Sequence, residues 1–391
     1  METRILTTTD ELTAFVATLA EETFITVDTE FIRERTYFPN LCLLQIASFK
    51  EAVAVDPLAQ GMDLRPLYPV LARPDLVKVF HAASQDVEIF YKLTGAVPTP
   101  LYDTQIAGMV CGFGESSSYE TLVRELVGAK LDKASRFTDW ARRPLTDRQL
   151  VYALDDVIHL RKIYELMQQK IASTGRASWI EEEMRAQFVE SRFKIDVNLC
   201  WKRLKVKSRD PFYLNMLRAA AGWREEMAMM RNVPRQRILR DDVVLQLAAI
   251  APQSPEELSE VRGLGNQLSR DWQALLIERL DAARLAPKET FPTPPPRHHG
   301  LNPAQDSCMD LMRMLLKQKC DEADVVPRLV AEREDLEALI KGEVTAAESH
   351  IMHGWRYEVF GRYAEALLSG KLTATVGTTR HGYALAWKQA A

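Results

Sequence analysis

The chain has 391 residues, 47% apolar and 27% charged, with a net charge of −4, values ordinary for a soluble globular protein of two or three domains. No apolar run is long enough to cross a bilayer, the N-terminus lacks the basic-then-apolar pattern of a secretory leader, and the five cysteines (Cys42, Cys111, Cys200, Cys308 and Cys320) are scattered without a C-x-x-C pair. Membrane spans, disulfide frameworks and zinc modules are therefore disfavoured, and a reducing cytoplasm is the expected compartment.

Residues 1–170 read as α/β. Thr8 and Glu11 stand at capping-box spacing, and Leu12, Phe15, Val16 and Leu19 follow at helical intervals. Strand-like runs over 24–31, 41–47 and 52–55 have short connections, as in an antiparallel meander. A further strand over 77–80 leads into a helix starting near Ser84, with Ser84 as its N-cap. From about Glu120 the pattern is helical, ending in a long helix over 150–168.

Residues 171–209 read as a helical, increasingly basic connector. The segment 210–286 is all helical, with one stripe through Leu214, Leu217, Ala221 and Met227 and another through Val243, Val244, Leu247 and Ile250. Residues 287–303 hold Pro292, Pro294, Pro295 and Pro296 with His298 and His299, the composition of a semi-rigid linker. Residues 304–370 are helical again. The stretch 371–391 shows no clear period and reads as a mobile tail. The two helical segments are alike in length and pattern, although letter matching does not establish a repeat.

The sharpest chemical signal is Asp28 and Glu30 in the apolar run 24–31. Strand residues two apart share a face, so two carboxylates stand side by side, an arrangement that is costly when buried unless a cation compensates it. The plainer reading is an exposed strand with two solvated acids. Asp86 falls in the first turn of its helix, where the macrodipole favours an acid in any protein. Tyr152 and Asp156 are four apart and project from one side of the long helix. They lie on the shoulder of the stripe through Leu150, Leu154, Val157, Leu160 and Tyr164. Asp155 is turned about 100° away toward solvent. Taken alone, Tyr152 is as well read as a half-buried core tyrosine.

Together, Asp28-Thr-Glu-Phe31, His81-Ala-x-x-x-Asp86 and Tyr152-x-x-x-Asp156-Val157 resemble, in order, the three motifs of the DEDD exonuclease superfamily. Tyrosine four before the last aspartate marks the DEDDy subclass; the sister subclass carries histidine five before it, where this chain has Val151. The stretches 33–45, 101–105 and 138–152 are similar to the ribonuclease D family, and the likeness covers the first 170 residues nearly continuously. The resemblance implies a ribonuclease-H-like α/β exonuclease domain and two divalent cations, Mg²⁺ or Mn²⁺. Asp28, Glu30, Asp86 and Asp156 would be the ligands, and Tyr152 would orient the attacking water. Oxygen-only ligands suit such hard cations. Phe31 could wedge against a terminal base or pack in the core. His81, Asp103, Trp140 and His159 keep structural readings.

The segment 210–286 resembles an HRDC domain through Trp223-Arg-Glu-Glu-Met-Ala, the run 234–245 and Val261-Arg-Gly-Leu-Gly265. Segment 304–370 resembles a divergent second module of the same kind. All-α HRDC-type domains would thus follow the exonuclease domain. Between 201 and 240 there are eleven Lys or Arg against three acids, a local net of +8, which could track phosphates or be a solvated face. Lys202, Arg203, Lys205 and Lys207 are the candidate contacts. Gly263 and Gly265 could offer backbone N–H groups to a phosphate, or simply form a tight turn.

The resemblance implies a 3′→5′ exoribonuclease that releases nucleoside 5′-monophosphates and trims tRNA precursors and other structured RNAs. A DNA-directed exonuclease uses the same chemistry. A non-catalytic nucleic-acid-binding protein would have lost a carboxylate, and none is missing. Nothing in the sequence points to a membrane or a protein partner.

Overall fold

Six short segments rich in aliphatic and β-branched residues pair into one mixed sheet. A computed structural model describes residues 1–114, 118–131, 138–264, 268–294, 300–344, 348–380 and 382–389. Its strands β1 (Glu2–Leu6), β2 (Phe24–Ile32), β3 (Asn40–Ala47), β4 (Glu51–Val55), β5 (Val77–Phe80) and β6 (Leu101–Asp103) lie in the order β1-β4-β3-β2-β5-β6. The three middle strands in sequence form the antiparallel meander, whereas β1, β5 and β6 pair in parallel. The two edge strands, β1 and β6, escape a sequence reading because Glu2-Thr-Arg-Ile-Leu6 is mostly polar and exposed and β6 has only three residues.

Helix α1 (Thr9–Thr18) starts at the reciprocal Thr8–Glu11 capping box. After α2 (Tyr68–Ala72), helix α3 (Ser84–Thr94) begins one residue earlier than expected. Ala83 occupies its N-cap without a side-chain bond, so Ser84 is its first residue rather than its cap. Helices α4 (Thr104–Val110) and α5 (Tyr119–Leu122) precede α6 (Asp147–Thr174), which is capped by Thr146 with Gln149 and ends at the left-handed Gly175. Alternation along the strands divides the packing. Val27, Leu44 and Ile46 join α1 and α3 in the main core. Leu43, Ala47, Ala52 and Ala54 form a thinner layer under Ala153, Leu154 and Val157 of α6.

The main core continues past residue 170. Ile171 and then Ile180, Met184 and Phe188, on and just after α7 (Ala177–Gln187), are buried in it. Trp201 and Leu204 already belong to the next core. The expected connector over 171–209 is thus shared between two cores, because its apolar residues pack back on both sides.

The second core gathers α8 (Pro211–Arg231), α9 (Arg235–Ile238), α10 (Asp241–Ile250), α11 (Pro255–Ser259) and α12 (Arg270–Leu285). The third gathers α13 (Pro303–Glu322), α14 (Pro327–Val330), α15 (Arg333–Lys341), α16 (Gly354–Arg356) and α17 (Arg362–Leu368). The two share a local plan. Asn232 (φ 49°) follows α8, and Asp324 (φ 47°) stands just beyond α13. Each long helix leads to a four-residue helix, α9 or α14, closed by an extended residue, Leu239 or Ala331. Part of the proline-rich stretch, including Pro295, Pro296, His298 and His299, lies outside the described residues.

The last residues depart from the tail reading. β7 (Leu372–Thr379) and β8 (Gly382–Gln389) form an antiparallel hairpin. Leu372 enters the third core, and Trp387 Nε1 donates to Gln318 Oε1 at 3.0 Å. The alternation Leu372-Thr-Ala-Thr-Val376 is a period of two, muted by small residues. Among the described residues no helix is long and apolar enough to cross a membrane.

Side chains stitch the helical units to the sheet unit. In the loop between β2 and β3, Tyr37 is buried in the second core and its hydroxyl donates to Glu225, which is itself fully buried. Arg203 and Arg235 also approach Glu225, at 3.3 and 3.5 Å. Arg356 of the third unit is buried and pairs with Glu182 at 2.7 Å and with Glu183, beside Trp179 and Trp355, which stack at 4.6 Å.

Candidate active site

Asp28 and Glu30 project from central strand β2, between antiparallel β3 and parallel β5. A bulge after Glu30 shifts the register and re-aims the strand end, as bulges do. Across this face lies α6, set in place by buried polar bonds. Thr26 Oγ1 donates to the Val157 carbonyl at 2.7 Å, and Arg161 donates to the Ala47 carbonyl at 3.2 Å while lying over the Phe24 ring. These contacts bring Asp156 to the strand pair. Carboxylate oxygens of Asp28, Glu30 and Asp156 lie within 4.8 Å of one another. Asp155 is not part of this group.

Asp86 sits in the first turn of α3, 7% exposed, and accepts a hydrogen bond from the Thr29 hydroxyl. It lies outside the convergent three, yet it feels Asp28. Burial, and then the Asp28 charge, push its carboxyl well above the usual range. Burial raises Asp28 to about 6. Such a shift marks a site that resists holding several negative charges without a counter-ion.

The strand-to-helix turn that delivers Asp86 is strained and braced. Ala82 has φ 57°, an unfavourable conformation for a residue with a Cβ. Asp103 accepts from the N–H groups of Ala82 and Ala83, both at 2.9 Å, and of Gln105 at 2.8 Å. The neighbouring His81 lies 3.0 Å from the Thr104 hydroxyl through Nδ1, and burial pushes the imidazole down to about 4, so the ring is neutral.

Asp28, Glu30 and Asp156 face a cavity of about 630 Å³ lined also by Phe31, His81, Gln85, Gln105, Tyr119 and Tyr152. Burial, followed by the charges of Asp156, Glu30 and Asp28, raises the Tyr152 phenol far above its ordinary value, so it keeps its proton. Phe31 both lines the cavity and packs on the main core, which joins the two readings of it. No sequence signal points to Tyr119. Its hydroxyl donates to the Asp156 carbonyl and its ring lies 5.3 Å from that of His81; it stands on a four-residue helix with no pattern to announce it.

Among the described residues singled out for nucleic acid, only Phe31 lines the cavity. Lys202, Lys205 and Lys207 are exposed. Arg203 is exposed but turned toward Glu225. Gly263 adopts φ 88° in a tight turn where a Cβ would stand 3.1 Å from Arg240 and 3.2 Å from Val243, so close packing accounts for that glycine. Gly265 lies outside the described residues.

Comparison with known proteins agrees with this fold. Residues 3–172 match the family model described as 3′-5′ exonuclease, and residues 214–278 match the HRDC domain. The chain is 42% identical to ribonuclease D of Gluconacetobacter diazotrophicus over 96% of its length and 95% of the relative's. It is 44% identical to ribonuclease D of Jannaschia sp., over 94% and 95%. The crystal structure of Escherichia coli RNase D, described as an exoribonuclease involved in structured RNA processing, superposes with a TM-score of 0.78. That match has 28% identity and covers 95% of this chain and 99% of that one.

Proposed function

The chain belongs to the ribonuclease D family and is a 3′→5′ exoribonuclease, and from that premise we propose that Asp28, Glu30, Asp86 and Asp156 hold two divalent cations, Mg²⁺ or Mn²⁺, at its catalytic centre. The observation that carries this reading is the convergence of three carboxylates from β2 and α6 on one cavity. The donor set is all oxygen, as hard cations require, and the raised carboxyls of Asp28 and Asp86 call for positive charge. When bound, the cations supply an activated water and charge compensation for in-line displacement at phosphorus.

The chain's own side chains do the rest. The cavity takes the 3′-terminal nucleotide, with Phe31 against its base. Tyr152, protonated at working pH, hydrogen-bonds the attacking water and holds it in line. Tyr119 braces the Asp156 backbone, and Asp103 braces the turn carrying Asp86. The product is a nucleoside 5′-monophosphate. Exposed Lys202, Lys205 and Lys207 lie along the approach of the RNA, and Arg203 joins them where it swings from Glu225. Residues 304–370 serve as a second, divergent HRDC-like module, a reading supported by the shared helix plan. Precursors of tRNA and other structured RNAs are the proposed substrates, in the cytoplasm, where five free cysteines remain reduced.

The test is degradation of matched RNA and DNA strands, each labelled at the 5′ end, with Mg²⁺ or Mn²⁺. A ladder shortening one nucleotide at a time from the 3′ end of RNA supports the reading. Faster loss of DNA would favour the DNA-directed alternative, and no degradation with either ion would refute the metal assignment.

A further inference from the structure

We propose that Gln45 is a positioning residue for the carboxylate centre, its side-chain amide tethering Asp28 so that one carboxylate oxygen is held toward the cation. The inference rests on the metal reading given above. Gln45 stands directly opposite Asp28 in the β2–β3 ladder and opposite Ala54 on its other side. Directly opposed residues of an antiparallel pair point to the same face with Cβ atoms about 4.5–5.5 Å apart. The amide therefore shares the face of Asp28 and Glu30, beneath α6.

Gln45 is 0% exposed, and neither Nε2 nor Oε1 meets a hydrogen-bond partner within the protein. The surrounding layer is apolar and largely small: Ala47, Ala52, Ala54 and Ala153, with Leu154 and Val157 above. A methionine or leucine would fill such a place without the desolvation cost of an unpaired primary amide. Of the other polar side chains of this seam, Trp140 Nε1 also lacks a partner, whereas Thr26 and Arg161 are committed. Thr26 donates to the Val157 carbonyl, and Arg161 donates to the carbonyls of Phe24 and Ala47. The group directly across the ladder that still has acceptor capacity is the Asp28 carboxylate. An ionised ligand carboxylate is oriented by a hydrogen bond from outside the coordination sphere in most metal sites. Gln45 Nε2 makes no hydrogen bond within the protein, so the tether forms by a turn of the amide across the ladder, and the metal-free chain carries the cost of the unpaired amide.

The experiment uses the full-length chain stripped of divalent ions, titrated calorimetrically with Mn²⁺ alone and without RNA. Wild type, Gln45→Met, Gln45→Leu, Gln45→Asn and Asp28→Asn are compared, each first checked by thermal melting. Gln45→Met and Gln45→Leu should melt no lower than wild type when metal-free. Their Mn²⁺ dissociation constants should rise by ~10–100-fold, the range for lost outer partners. Gln45→Asn keeps the amide but withdraws it by one methylene; it should bind Mn²⁺ as weakly as the methionine variant without gaining stability, and it serves where the apolar variants do not fold. Mn²⁺ affinity unchanged in all folded Gln45 variants, while Asp28→Asn loses it, overturns the role of Gln45 and leaves the site standing. Wild-type Mn²⁺ affinity in Asp28→Asn instead overturns the metal reading itself.

Discussion

Asp155 and Asp156 are adjacent, yet only Asp156 reaches the oxygen cluster of Asp28 and Glu30. Asp156→Asn should lower kcat by ~10³-fold or more, because it removes a ligand to charge-stabilising cations, while Asp155→Asn should turn over RNA nearly as wild type does. Equal losses in steady-state assays would show that the helix register argument is wrong. Tyr152→Phe keeps the ring against Trp140 and removes the water's partner, so kcat should fall by ~10²-fold, as for a misplaced nucleophile, with Mn²⁺ affinity intact. The raised carboxyls carry a pH signature. Between the ordinary value of 3.8 and about 6, folded Asp28 binds more proton than the unfolded chain does, so its favourable contribution is present at the acid end and lost as pH rises. Melting temperatures of metal-free wild type and Asp28→Asn should therefore diverge across that window, with the variant more stable above it. Saturating Mn²⁺ should reverse their order at neutral pH. A pH-independent difference would remove Asp28 from the account.

At the scale of elements, α6 is the part most legible in the sequence and also the part that most needs the structure. Its stripe and the Tyr152–Asp156 spacing are local signals. What seats it on the sheet is not local: Arg161 reaches the carbonyls of Phe24 and Ala47, more than a hundred residues away, and no periodicity discloses that. Arg161→Met keeps the apolar stem but strands those acceptors. It should cost about 1–3 kcal/mol in urea unfolding, and it should reduce kcat more than it weakens RNA binding because Asp156 loses its register. An unchanged kcat would mean that Thr26 alone suffices. Tyr119 and Gln45 were illegible for a related reason. One enters the cavity from a single helical turn and the other is hidden in a strand whose letters read as plain core, so both acquire meaning only through neighbours that folding supplies.

For the whole molecule, packing runs on past the seams read from the sequence, since apolar residues at 171, 180, 184, 188, 201 and 204 bury themselves in cores on either side. The basic surface of the helical half belongs to this scale. In an Asp156→Asn background, where RNA persists, changing Lys202, Lys205 and Lys207 to alanine should lessen the slope of log K against log salt by ~0.7 per lost single-strand phosphate contact. Equal slopes would leave these lysines as a solvated face.

The loop between β2 and β3 has a consequence for ancestry and engineering. Tyr37 is anchored on Glu225 in another unit, while a few residues back the same loop holds Glu88 of α3 through Arg33. A lineage that exchanged its HRDC module for a foreign one would inherit a buried carboxylate without its phenol, or the reverse. The two halves are thus tied as a matched set, and chimeras should work only when positions 37 and 225 travel together.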